Sequence, residues 1–207
     1  MVDAIEKEYL TTSKIQLFCI DSFDKESFSA YDRDINTRIE NQEKYYHFIV
    51  DELVPLIHKI NGTRRRILLT GCSLGAYHAA NFFFRRPDIF EGCISLSGIY
   101  DCSRLLDYQM NPLIYDNSPI HCLQGMKKDH PYVAIYRKRV IILCVGKGRW
   151  EEDGLITQPI LEQLLKEKDI PCFSDYWGYD VDHDWPWWKK QILYFLPMAL
   201  TKIQKHP

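Results

Sequence analysis

Arg66-Ile67-Leu68-Leu69-Thr70-Gly71-Cys72-Ser73-Leu74-Gly75-Ala76-Tyr77-His78-Ala79-Ala80 decides the fold. Ile67, Leu68 and Leu69 form a short apolar run, the pattern of a strand in a parallel sheet covered on both faces. Gly71-Cys72-Ser73-Leu74-Gly75 then matches G-x-S-x-G, a sharp strand-to-helix turn with a serine at its tip. So tight a turn predicts glycines on both flanks, because side chains would collide there. Ala76 to Phe84 continues as a helix. Its N-terminus offers unpaired N–H groups and a positive dipole end to any negative charge that develops at the serine.

Outward from that turn, strands and helices alternate. Ile15 to Asp21 predicts a strand, and Ser22 to Arg33 a polar, aromatic loop. Asn36 to Lys59 predicts a long amphipathic helix with Ile39, Tyr46, Ile49, Val50, Leu53 and Ile57 on its apolar face. Pro55 would kink it, and Asn61-Gly62 would stop it. Further strands are expected at Cys93 to Gly98, Val140 to Gly146 and Pro171 to Trp177. Helices are expected at Leu155 to Asp169 and at Asp184 to Ile203, the latter interrupted near Pro197. Ile99 to Arg139 lacks periodicity and is rich in proline, so it predicts an excursion over the C-terminal edge of the sheet. This alternation argues for an α/β fold with a doubly wound, mostly parallel sheet. All 207 residues are expected to form one domain.

A formal net charge of -2 gives no electrostatic case for nucleic acid or an anionic membrane as partner. No apolar run is long enough to span a bilayer, and Met1 to Lys7 is not a signal peptide. The seven cysteines form no C-x-x-C pair, and Cys19, Cys93 and Cys144 fall in predicted strands. They are expected to be reduced, which suits the cytoplasm.

In open parallel sheets, ligands bind where the strands end. Three loops there carry chemistry: 71–75, 146–153 and 178–184. A serine hydroxyl needs an adjacent base, and histidine titrates near neutrality. An acid must then fix the tautomer of that histidine. His183 follows the last strand, where the order serine, acid, histidine requires the base. For the acid, Glu151 is favoured, then Glu152, then Asp153, with Asp101 an outside candidate. Two of these carboxylates would equally suit the start of a helix. The Leu74 N–H is the expected oxyanion donor. Asp180, Asp182, His183 and Asp184 could be read as metal ligands, but they are contiguous and lack a distant second cluster, so no metal and no cofactor are expected. His78 is expected to be a packing residue, with His47 and His58 toward solvent. Tyr100, Tyr108, Tyr115, Trp150 and Trp177 are candidates for the wall of a cleft.

Four segments resemble the signatures of an α/β-hydrolase family that includes esterase D-like and feruloyl-type esterases. They are 71–79, 86–90, 96–101 and 177–185, the last (Trp177-Gly178-Tyr179-Asp180-Val181-Asp182-His183-Asp184-Trp185) being quite specific. The resemblance implies a small-molecule ester as substrate, Ser73 as nucleophile, His183 as base and an acid after Val145. In such proteins several strands precede the point matching Met1, and a loop after one of them supplies part of the oxyanion hole. The expectation is therefore an N-terminally shortened member, with one oxyanion donor at Leu74. Its open sheet edge would invite a homo-oligomer.

Overall fold

The computed structural model describes residues 1–205; the last two positions of the expected domain lie outside the described residues. Its sheet has four parallel strands in the order β1 (Ile67–Cys72), β2 (Phe90–Leu96), β3 (Val140–Val145) and β4 (Phe173–Tyr176). Side chains alternate between two apolar layers, as the period of two demands. Leu69, Cys93, Ile141 and Leu143 enter one layer, while Leu68, Ile94, Leu96, Ile142 and Cys144 enter the other. The inner strands β2 and β3 are covered on both faces, and every residue of them is buried.

The helices divide between the layers. α1 (Val2–Ile5) runs into a π-helical turn, Glu6–Leu10. α2 (Ile35–His47) continues through a π-helical stretch, Phe48–Leu53, into α3 (Val54–Asn61). The widened stretch immediately precedes Pro55, whose ring cannot approach the carbonyl four residues back. The predicted kink is thus absorbed as a change of helical pitch. Gly62 ends α3 with φ 62°, the left-handed stop expected from Asn61-Gly62. α4 (Leu74–Arg85) packs on β1 and β2 in the first layer. The segment 99–139 holds a 3₁₀ turn (Cys102–Leu105) and three short helices: α5 (Pro112–Asp116), α6 (Pro119–Gly125) and α7 (Pro131–Tyr136). α8 (Glu152–Glu167) completes the first layer against β3, and α9 (Trp185–Lys205) covers the second.

Two expectations need correction. Ile15 to Asp21 is not a strand. Its period-two pattern survives, with Ile15 and Leu17 half-buried and Gln16 and Phe18 exposed, but no strand lies beside it to form a ladder. α9 runs through Pro197 without interruption. The carbonyl freed by that proline is that of Leu193, an exposed residue, so water can take it. Phe195, Leu196 and Ala199 meanwhile anchor both sides of the proline in the core.

Candidate active site

Every component stands where a parallel strand ends. The Ser73 amide donates to Leu96 O at 3.0 Å, extending the β1–β2 ladder by one residue. The chain then turns so sharply that Ser73 takes φ 56°, ψ -125°, backbone that a non-glycine residue seldom adopts. Gly71 makes the turn feasible, since a Cβ there would lie 2.2 Å from Gly75 O. Gly75 is different, because a Cβ there would meet open space. Only the first of the two glycines is therefore imposed by close approach. The Leu74 amide, first in α4, has no hydrogen-bond partner among the described residues, as the first turn of a helix dictates.

His183 arrives from the far end of the chain. Its ring Nε2 lies 2.8 Å from Ser73 Oγ, and its Nδ1 lies 3.0 Å from Glu151 Oε2. Glu151 is 1% exposed, and its other oxygen accepts from Ser97 Oγ at 2.7 Å and from the Gly146 amide at 3.2 Å. The Trp188 indole N–H donates to Ser97 Oγ at 2.9 Å. The same indole meets the His183 ring edge-on, with centroids 5.0 Å apart. A continuous row of contacts thus runs from Trp188 through Ser97, Glu151 and His183 to Ser73.

The two loops that carry Glu151 and His183 are clasped together. The Lys147 amide donates to Gly178 O, the Gly148 amide to Val181 O and the His183 amide to Arg149 O. Arg149 grips Asp182 through Nε and Nη2 at 3.0 and 2.7 Å. Asp182 is thereby held well within the ionised range, chiefly by its hydrogen bonds from Arg149. This arrangement leaves the acidic run elsewhere engaged. Asp184 accepts from the Trp185 amide, and no cluster of three potential metal ligands occurs among the described residues.

The other carboxylates are placed apart from His183. Glu152 opens α8 as its first residue. Asp153 accepts from Arg104 at 2.7 Å. Asp101 caps the turn 102–105 by accepting from the Ser103 amide, and lies 3.5 Å from His121.

A cleft of about 170 Å³ opens over Ser73, lined among others by Phe28, Tyr31, Leu74, Ile99, Leu105 and Trp150. Of the aromatic candidates, Trp150 alone is part of it. Tyr100 is fully buried with its hydroxyl on Ser95, Tyr108 faces solvent, and Trp177 packs against Tyr194 and Phe195. Tyr115 contributes its carbonyl to the Cys122 thiol and does not reach the cleft.

Phe28 and Tyr31 come from the loop 22–33, which is held by His78, by Arg38 and by Asn41, whose Nδ2 donates to Glu26 O at 2.8 Å. His78 is buried and reaches Asp24 Oδ1 at 2.8 Å, so it is more than packing. Arg38, also buried, donates to Ser27 O, Phe28 O and Leu105 O. His47 is exposed beside Asp51, and His58 faces Arg65 O.

Ser97, Trp188, Arg38 and the Asp24–His78 pair are the components that the sequence reading did not single out. Ser97 and Trp188 had a usable signal, Ser97 lying just beyond the end of β2 and Trp188 in the first turn of α9, which follows the His183 loop. Arg38 and His78 sit inside helices, and their partners are set by tertiary packing.

The chain belongs to the esterase family described as "Putative esterase", whose profile matches residues 7–198. The solved structures that it resembles share its α/β-hydrolase fold. One is a ferulic acid esterase, at 20% identity over 76% of this chain and 61% of that one, with a TM-score of 0.60. Another is S-formylglutathione hydrolase from Staphylococcus aureus, at 19% identity over 80% and 64%, TM-score 0.56. A third is the fluorophosphonate-binding serine hydrolase F of Staphylococcus aureus, at 18% identity over 75% and 63%, TM-score 0.54. The chain spans less than two thirds of the length of each of these three. No curated protein matches it. No described helix is long and apolar enough to cross a membrane.

Proposed function

We propose that this protein cleaves carboxylic esters through an acyl-enzyme, with Ser73 as nucleophile, His183 as base and Glu151 as the orienting acid. The observation that carries the reading is the pair of distances at His183: 2.8 Å to Ser73 Oγ and 3.0 Å to Glu151 Oε2. An ionised Glu151 only accepts hydrogen bonds, so it selects the tautomer with the proton on Nδ1. Nε2 is then the lone-pair side, directed at the serine hydroxyl. When Ser73 Oγ attacks the ester carbonyl, Nε2 takes the hydroxyl proton, and the carbonyl oxygen becomes an oxyanion beside the Leu74 N–H. Collapse of that intermediate expels the alcohol, which receives the proton from Nε2. Water then repeats the sequence against the acyl-serine, releasing the carboxylic acid and restoring Ser73.

Glu151 suits its role because Ser97 and the Gly146 amide occupy its second oxygen. They hold the carboxylate in place and compensate its burial. The family assignment and the fold agree with ester hydrolysis in general. Hydrolysis of p-nitrophenyl acetate by the purified protein, compared with its Ser73→Ala variant, tests the proposal. Release of p-nitrophenol that depends on Ser73 is expected; equal rates for the two proteins would overturn it.

A second reading, a weakly active or non-catalytic binding protein on the same scaffold, draws on one observation. The Leu74 N–H is the one oxyanion donor identified at this turn among the described residues, and each such donor is worth about two to three orders of magnitude in turnover. Retention of a substrate-like ester in the cleft without turnover would favour this reading.

A further inference from the structure

Behind the cleft lies a buried charge that the proposed chemistry does not use. Arg38 is 3% exposed, and no carboxylate pairs with it among the described residues. Burying a guanidinium without a counter-charge is costly unless hydrogen bonds replace the lost water. The acceptors of Arg38 are all main-chain carbonyls. Its Nε donates to Ser27 O at 3.1 Å, and its Nη2 donates to Phe28 O at 2.6 Å and to Leu105 O at 2.9 Å. Neither Phe28 O nor Leu105 O has another donor among the described residues.

Those carbonyls belong to two sides of the cleft. Phe28, Ser29 and Tyr31 line it from the loop 22–33, and Leu105 lines it from the turn 102–105. No hydrogen bond joins that loop to that turn directly among the described residues, and Arg38 alone donates to both. The other ties act on the first half of the loop, where His78 holds Asp24 and Asn41 holds Glu26 O. They fasten it to α4 and α2 and stop short of the half that lines the cleft. Arg38 also supports the exposed Tyr31, with Cζ 5.2 Å from the ring centroid. A lysine has a single nitrogen and cannot present the parallel Nε and Nη2 donors that two consecutive carbonyls take up.

We infer that Arg38 is a positioning residue that limits the length of acyl chain the cleft admits, by fixing Leu105 against Phe28. The inference rests on the ester hydrolysis proposed above. Nε2 of His183 must return its proton to the departing alcohol, so the alcohol occupies the His183 side of the serine. The apolar walls of Phe28, Leu74, Ile99 and Leu105 then fall to the acyl chain. The whole cleft measures about 170 Å³, well below the roughly 300 Å³ at which drug-sized pockets begin, which suits a short acyl chain and excludes a long one. Without Arg38, Phe28 O and Leu105 O lose their only donors. The loop and the turn then part to let water reach those carbonyls, and the limit on chain length goes.

The test compares p-nitrophenyl butyrate with p-nitrophenyl octanoate for the parent, Arg38→Ala and Arg38→Lys. The parent should prefer butyrate by about tenfold or more in kcat/KM. In Arg38→Ala the preference should fall to about twofold or less, mainly through a lower KM for octanoate, with Arg38→Lys in between. Guanidinium chloride at tens of millimolar should restore the preference in Arg38→Ala, because the free ion fills the vacated site; sodium chloride at the same concentration should not. A merely structural role would lower kcat for both esters alike and would not answer to guanidinium. Calorimetric binding of the same esters to Ser73→Ala, with and without the Arg38 change, gives a readout independent of turnover. Butyrate-selective binding that is lost with Arg38 upholds the inference even if the parent hydrolyses neither ester, a result that would count against the hydrolase reading alone. A parent that takes both esters equally, an unchanged preference in the Arg38 variants, equal losses of kcat for the two esters, or no response to guanidinium would overturn it. Should Arg38→Ala fail to fold, Arg38→Lys, which keeps the charge, decides by the same preference.

Discussion

At the scale of single residues, the account rests on which atoms of His183 face which partners. Glu151→Gln keeps the size of the side chain but lets the imidazole settle with its proton on the wrong nitrogen. Its kcat for p-nitrophenyl acetate should fall by about four orders of magnitude, with circular dichroism unchanged. Ser73→Ala should lose about four to six orders. Glu152→Gln, one position along but outside the row of contacts, should leave kcat close to the parent value. Ser97 acts indirectly, by holding Glu151. Ser97→Ala would leave the Trp188 N–H buried without an acceptor and remove one of the two donors to Glu151 Oε1. A stability loss of about 1–3 kcal/mol in urea unfolding is expected, together with a lower kcat and little change in KM. Cys72 gives a separate check on the turn. Burial pushes its thiol up to about 12, so it is protonated at neutral pH and a poor nucleophile. Iodoacetamide followed by peptide mapping should therefore label the exposed Cys19 well before Cys72.

At the scale of elements, the loop 22–33 is the piece of the cleft most open to perturbation, because it has no helix or strand of its own and is fixed by side-chain contacts from His78, Arg38 and Asn41. Burial alone would raise the Asp24 carboxyl, but its hydrogen bond from His78 and the charge of that ring outweigh burial and hold it below the usual carboxylate range. A carboxyl depressed on folding contributes stability above its unfolded value, near 4, and that contribution is lost as pH falls through the folded value. Thermal unfolding between neutral pH and pH 3 should therefore show a shallower acid limb for Asp24→Asn than for the parent.

The same scale shows what the sequence made legible. The elbow, β2, β3 and the long helix were readable because an apolar pattern and a local stop signal agreed at each. Ile15 to Asp21 has the pattern of a strand, but a strand is defined by its neighbour, and pattern cannot supply one. The short helices of 99–139 hide below the length at which periodicity shows. Their signals are local instead, with Asn111-Pro112, Ser118-Pro119 and His130-Pro131 each placing proline in the first turn. Glu151 could be favoured but not separated from its neighbours by sequence. The three carboxylates differ only in which one the turn after β3 directs inward, and that is fixed by the clasp between the loops 146–151 and 178–183.

At the scale of the whole molecule, the fold brings together groups 110 positions apart in the chain by ending parallel strands at one rim of a sheet. The inner strands of the sheet are covered on both faces and its edge is open along β1, so the element that carries the nucleophile also carries the unpaired edge. The central claim is that Ser73 is a nucleophile activated by His183. It is tested most directly by exposing the native protein to a fluorophosphonate and locating the adduct by mass spectrometry. A single adduct is predicted on Ser73, absent from Ser73→Ala and formed far more slowly in His183→Ala. An unmodified Ser73, or labelling at an equal rate without His183, would contradict the account.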